Sequence, residues 1–503
     1  MILKHNSKLI ILTLAIVILN LAVSASPRQD RGSDKYWGPR YSAQSQATVQ
    51  PQNKVRNMVT RWNQIAIDAS GLDHMPVQPG ENRVFGEQLG PVRAARAVAI
   101  AQIAVFEALN ATTGDYESYI GLFRAAKKTD RKAAIAQAAH DALVGVFPSQ
   151  KSIFDAALAE DLNSIPDGRK KTNGINLGKT AAQLILLIRS SDHSQHAEMV
   201  LGVDYFPSND PGKWRQDPIS LVPIALGARW HEVTPFVMTS ATQFRIPPPP
   251  AMESAEYADA YNEVKRLGGD GITTPTERTA DQTEIGIFWA YDGTPSLCAP
   301  PRLYNQIAVQ IADQMNSDEM ELARLLALVN TAMADAGIAS WESKFFYNFW
   351  RPIGGVREAD EGTGPSGLGD GNPGTVCDVN FMPLGAPASN LNGPNFTPPF
   401  PAYPSGHATF GGALFQTLRR FYGTDNIAFT FVSDELNGVT RDNSGNVRPL
   451  RPRSFTNLSQ PEEENGQSRI YLGIHWSFDK TQGIAQGRNI ANWVFDNAFR
   501  PVN

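Results

Sequence analysis

The chain has 503 residues, 45 Lys and Arg against 50 Asp and Glu, a formal charge of −5, and 42% hydrophobic residues. That length suits one large domain or two to three ordinary ones, with enough apolar residues to bury a large core. The mild acidity excludes the broad basic face that nucleic acid binding needs, so clustered positive charge belongs to a local site.

Lys4 and Lys8 give a basic start, residues 9–23 are apolar except Thr13 and Asn20, and Val23-Ser24-Ala25 supplies small residues. The pattern predicts a signal peptide over 1–25 and a secreted or periplasmic protein, with an uncleaved anchor as the alternative. The apolar run is short for a membrane span, and no later stretch approaches eighteen unbroken apolar residues, so no membrane association is expected after cleavage. Residues 26–52 are polar and rich in Ser, Gln and Arg, and read as a loose arm. Val92–Leu109, Asp130–Phe147, Thr172–Ile188 and Ser254–Leu267 read as helices. Residues 202–250 carry many prolines, ending at Pro247–Pro250, and are expected to be irregular. Asn316 is expected to cap a further helix with Glu319 at its third position, and Leu322, Leu325, Leu326, Val329 and Met333 form one stripe. Residues 354–403 are dense in Gly, Pro and Asn; such long irregular runs are often functional, and this one is expected to wall a site. Few segments alternate with period two. The expected class is all-α: two four-helix bundles with long irregular loops, an N-terminal helical part over 53–280 and a C-terminal part over 281–503 that carries the site.

Three patches carry the chemistry. Lys344 and Arg351 lie seven residues apart, about two helical turns, so they are expected to project together from one helix that Pro352 ends. Phe345, Phe346, Phe349 and Trp350 around them argue for burial. Pro404-Ser405-Gly406-His407 leads into a helix-like run, with a serine suited to capping and a glycine that lets backbone approach a ligand. Ser468-Arg469 is followed by His475, and Asp479 is placed to orient that imidazole. Three cations, amide and hydroxyl donors at a helix start, and two imidazoles suit a tetrahedral oxyanion. Ordinary readings compete patch by patch: a solvated basic face, a capped helix with a surface histidine, a structural histidine.

The ordered set Lys-x6-Arg-Pro, Pro-Ser-Gly-His and Ser-Arg-x5-His resembles the superfamily of vanadium-dependent haloperoxidases and PAP2-type acid and lipid phosphatases. The flanks Phe288–Gly293, Pro300–Ile307, Asp335–Lys344 and Pro399–His407 resemble the fungal-type vanadium chloroperoxidases, over roughly residues 280–490. The resemblance implies one vanadate per chain, with His475 as the protein ligand to vanadium and Lys344, Arg351, Ser405, Gly406 and Arg469 holding the oxyanion. It implies acid–base work for His407, a second role for Lys344 in polarising peroxide, a carboxylate partner for Arg469 in Asp292, and a halide environment at Trp341 and Phe400. The implied reaction is oxidation of chloride or bromide by hydrogen peroxide to hypohalous acid, with small organic acceptors. A phosphatase working through a phosphohistidine at His475 is the alternative.

Other signals are weaker. Cys298 and Cys377 leave one disulfide open. His193 and His196 lack the further ligands a zinc site wants. Gly369–Pro373 has too few carboxylates for a calcium loop. Asn110, Asn395 and Asn457 head glycosylation sequons.

Overall fold

The computed structural model describes residues 33–43 and 55–502, within the unit Gly32–Asn503. The expected signal over 1–25 lies outside the described residues, as does most of the 26–52 arm. Within that arm, Ser33–Trp37 is helical, Tyr36 and Trp37 are buried, and Ser42–Ala43 pairs with Leu391–Asn392.

Helices dominate. The four earlier expected ones appear as Gly90–Thr113, Arg131–Val146, Arg169–Ile188 and Ala255–Leu267. Asp130 and Ser254 cap two of them by accepting the amides of Ala133 and Tyr257. At the centre runs Glu319–Tyr347. Its cap is Asp318, not Asn316: the Asp318 carboxylate takes the amides of Met320 and Glu321, and Glu321 reaches back to the Asp318 amide. Two overlapping capping boxes are written here, and the carboxylate box forms while Asn316 makes the preceding turn at φ 56°. The expected single stripe is also corrected. Buried residues surround this helix on every side, because it is a core element wrapped by others. It is long and apolar enough to cross a membrane, and its apolar window is wholly buried in the fold.

Around it pack Gly90–Thr113, Gly406–Tyr422 and Ser477–Asn497. The last two cross very closely. A Cβ on Gly487 would sit 2.0 Å from the Thr409 carbonyl oxygen, so glycine is required there. This crossing sets the starts of both helices, and with them His407 and His475, side by side.

Among the described residues the all-α expectation holds in the main and misses three short antiparallel pairs: Ser42–Ala43 with Leu391–Asn392, Met199–Val200 with Ile224–Ala225, and Phe429–Asn437 with Leu450–Phe455. In the last, buried Phe429 and Phe431 flank exposed Thr430, the period-two pattern of a half-buried strand. Cys298 and Cys377 are both free thiols. Cys298 sits 2.9 Å from the Ser70 hydroxyl and Cys377 donates to the Arg357 carbonyl. Asn110 is buried in a helix, its amide bonded to Tyr116, so its sequon is closed in the folded chain.

Candidate active site

Lys344 lies in the last turn of the central helix. Asn348, at φ 52°, ends that helix, and its amide donates to the Lys344 carbonyl at 2.8 Å. Arg351 is therefore not on the same helix, which corrects the expected two-turn spacing. It is the cap residue of Pro352–Arg357, and Pro352 begins a helix rather than ending one. The two cations converge because the chain turns between them.

Lys344 is wholly buried, and its ammonium donates to the carbonyls of Pro401 (3.0 Å), Ala402 (2.9 Å) and Pro404. Arg351 donates from Nε to Phe400 O at 2.9 Å, and from Nη1 to Ile474 O and His475 Nε2, each at 2.9 Å. The irregular run 354–403 thus walls the site, largely through backbone oxygens. Ser405 caps Gly406–Tyr422, and its amide donates to the Asp479 carbonyl at 3.0 Å. A side chain on Gly406 would meet the Trp341 ring at 3.2 Å, so the glycine keeps backbone close to the site. The His407 ring bonds Ala290 O through Nε2, while its carbonyl accepts from Tyr304 Oη at 3.0 Å and Asn465 Nδ2 at 2.9 Å.

Arg469, in the last turn of Ser459–Tyr471, donates through Nη2 to both Asp292 oxygens at 2.7 and 2.9 Å. His475 donates from Nδ1 to Asp479 Oδ2 at 2.7 Å. That bond fixes the tautomer and leaves Nε2 as the lone-pair nitrogen facing Arg351. Trp341 and Phe400 sit with ring centroids 4.8 Å apart, and Trp341 Nε1 donates to Leu226 O. The Phe400 ring lies 5.2 Å from the Lys344 ammonium and 4.9 Å from the Arg351 guanidinium. All ten expected residues meet in one place. His407, Arg469, His475, Asp292, Trp341 and Phe400 line a cleft of about 620 Å³, open solvent at its mouth included. Tyr36 and Trp37 line it too. Sequence reasoning placed both in a loose arm, and nothing in their local composition marks them. The carbonyls that hold Lys344 and His407 were also invisible, since a backbone oxygen has no residue signature. Tyr304 stood in one of the family-like flanks and carried that much signal.

The electrostatics favour an anion. Burial, and then Arg351, push the Lys344 pKa well below its ordinary value. Burial brings Arg351 down to about 9. Burial and the neighbouring cations hold His407 and His475 far below 6.5, so both rings are neutral at pH 7. Burial outweighs Arg469 in raising Asp292, and lifts Asp479 to about 7. Three guanidinium nitrogens, Arg351 Nη2 and Arg469 Nε and Nη1, are buried without a partner among the described residues. Buried donors without acceptors are costly, so an anion with several oxygens matches them. Among the described residues, no group of three His, Cys, Asp or Glu is placed to hold a metal ion, His193 and His196 included. The buried ammonium and guanidinium groups suit an oxyanion.

Residues 324–503 match the family model described as the VCPO second helical-bundle domain. The chain is 32% identical to the vanadium chloroperoxidase of Curvularia inaequalis over 86% of its own length and 80% of that protein's. It belongs to the vanadium-dependent haloperoxidase family. Members of this family oxidise halide with hydrogen peroxide, and the phosphatase alternative is not favoured. The fold is also that of a bacterial vanadium-dependent iodoperoxidase (TM-score 0.68, 23% identity, 90% of this chain and 100% of that one). A holo-type bacterial vanadium-dependent chloroperoxidase shares it as well (TM-score 0.59, 16% identity, 84% and 94%). Vanadate, the family cofactor, fits the cage: the unpaired arginine nitrogens suit its oxygens, and His475 Nε2 suits vanadium.

Proposed function

We propose that this protein oxidises chloride or bromide with hydrogen peroxide to hypohalous acid, using one vanadate per chain held by His475 Nε2. The observation that carries this reading is the set of three buried, unpartnered arginine nitrogens beside an imidazole whose other nitrogen is fixed by Asp479. When bound, vanadium(V) supplies Lewis acidity toward peroxide without changing oxidation state. Arg351 and Arg469 neutralise oxyanion charge, and Asp292 keeps the Arg469 fork aimed. Ser405 and the Gly406 amide add donors at a helix start. Three neutral carbonyls hold the Lys344 ammonium in place without cancelling its charge, so it polarises peroxide. His407, neutral at pH 7 and anchored on Ala290 O, takes and returns the proton as peroxide enters. Trp341 and Phe400 form the dry aromatic wall where halide meets the oxidant, and small organic acceptors take the product.

The proposal extends to the rest of the chain. Residues 1–25 are a signal peptide and the mature protein is secreted or periplasmic. Residues 53–280 and 281–503 are its two helical parts, the helices form two four-helix bundles, and the superfamily is that of PAP2 enzymes.

The test is bromide oxidation by purified protein with and without vanadate, beside hydrolysis of nitrophenyl phosphate. Bromide oxidation that depends on vanadate and is competed by phosphate is expected. Halide oxidation unchanged without vanadium would refute the cofactor. His475→Ala should lose tight vanadate binding; undiminished vanadium content in that variant would reject the ligand.

A further inference from the structure

A second cavity, about 640 Å³ with open solvent at its mouth included, lies against Arg351 on a wall formed by residues 213–218, 350–358 and Thr397. Its charges are unevenly satisfied. Of its carboxylates, Glu358 is paired with Arg215. Asp217 is buried and accepts the amides of Ser220 (2.7 Å), Ile219 (3.3 Å) and Thr397 (3.3 Å). The cations are less engaged. The Lys213 ammonium has one long hydrogen bond among the described residues, to Tyr347 O at 3.5 Å. Arg357 spends its Nε on Phe381 O at 2.8 Å, and its two terminal nitrogens make no hydrogen bond among the described residues. The Thr397 hydroxyl on this wall is buried without a partner among the described residues, and Arg351, whose free nitrogen is assigned above to the oxyanion, borders the cavity.

The first cleft is lined mainly by aromatic, proline and aliphatic side chains. Away from the cage groups Arg469, His407 and His475, such a lining suits an organic molecule and gives a passing anion little in return for its lost hydration. The second cavity offers, outside the cage, under-engaged cations in Lys213 and Arg357 and a neutral hydroxyl donor in Thr397, adjoining a residue that touches His475. Its two carboxylates disfavour a multiply charged oxyanion and leave room for a compact monovalent anion.

We propose that this second cavity is a halide site, an antechamber in which chloride or bromide is held by Lys213, Arg357 and Thr397 beside Arg351 before reaching the oxidant. The proposal rests on the halide-oxidising reading of the main site. It separates two routes: anions through the polar cavity, organic acceptors through the apolar cleft.

The test uses the vanadate-loaded protein. Crystals soaked in sodium bromide should show an anomalous bromide peak between Lys213 and Arg357, whereas a soak in sodium phosphate should leave that cavity free of phosphate. In Lys213→Ala combined with Arg357→Gln, the KM for bromide at low ionic strength should rise about fivefold, with kcat and the KM for uncharged peroxide unchanged. Lys213→Ala alone should raise it about twofold, which keeps the test open if the double variant folds poorly. An absent peak, phosphate taking the cavity in place of bromide, or an unchanged bromide KM in folded variants would each overturn the site. Loss of the proposed function would look different: no vanadate-dependent bromide oxidation in the unaltered protein, whatever the diffraction shows.

Discussion

Asp292→Asn is the most telling change at the cage, because its two effects have opposite signs. The Asp292–Arg469 pair is almost fully buried, its side chains 5% and 1% exposed, and both carboxylate oxygens accept from one guanidinium nitrogen. Asparagine keeps the volume and one acceptor and removes the charge. Breaking a buried pair in this way costs about 3–5 kcal/mol, because the remaining ion is left uncompensated. The two other Arg469 nitrogens have no acceptor to fall back on. The unit Gly32–Asn503 has about 470 residues, so its unfolding entropy is on the order of 1 kcal/mol/K, and the melting temperature should fall by about 3–5 °C without cofactor. A bound oxyanion supplies the missing negative charge. With saturating vanadate the fall should shrink to roughly half, and each 1.4 kcal/mol recovered appears as about tenfold in apparent vanadate affinity, offset by the looser aim of Arg469. Turnover should drop, since the arginine fork is no longer held. Scanning calorimetry of both proteins, with and without vanadate, reads these terms separately. An equal fall in both states would refute the reasoning, because Arg469 would then not face the oxyanion.

Gly227 has φ +75°, and a Cβ there would lie 2.5 Å from two atoms of the Trp341 ring. Gly227→Ala should add about 1 kcal/mol of backbone strain and displace that ring, cutting kcat/KM for bromide about tenfold while vanadate affinity holds. Loss of vanadate binding instead would mean that the turn supports the cage rather than the halide wall. Remote from the site, burial lowers the pKa of His140, but bonds to Asp141 (2.7 Å) and Asp155 (2.9 Å) outweigh it and leave it raised. Its stabilising contribution is therefore complete below the unfolded value of about 6.5 and is lost as pH rises through the higher folded value. His140→Gln should flatten that loss, read as amide exchange in Arg131–Val146 between about pH 6 and 9. An unchanged pH slope would reject the assignment.

The parts of the site written as side chains were legible in the sequence, and the parts written as backbone were not. Lys344, Arg351, Arg469, His407 and His475 announce themselves because few arrangements need three cations and two imidazoles in short blocks. Their mutual placement did not follow from spacing. The two-turn arithmetic between Lys344 and Arg351 ignored Asn348, a residue type that readily takes the left-handed conformation ending a helix, and Pro352, which suits a helix start. Both signals were in the text and outrank a count of residues. The same holds for Asp318 over Asn316, and for the alternation in Phe429–Phe431. The neutral shell was beyond reach, since the carbonyls of Pro401, Ala402 and Pro404 can be placed only once the loop's path is known. Yet that shell decides the chemistry. Had carboxylates held Lys344 and Arg351, the cage would be neutral and indifferent to an oxyanion. Carbonyls fix the same groups while leaving their charge uncancelled, so the folded chain is already poised, at a cost in stability, for the anion that relieves it.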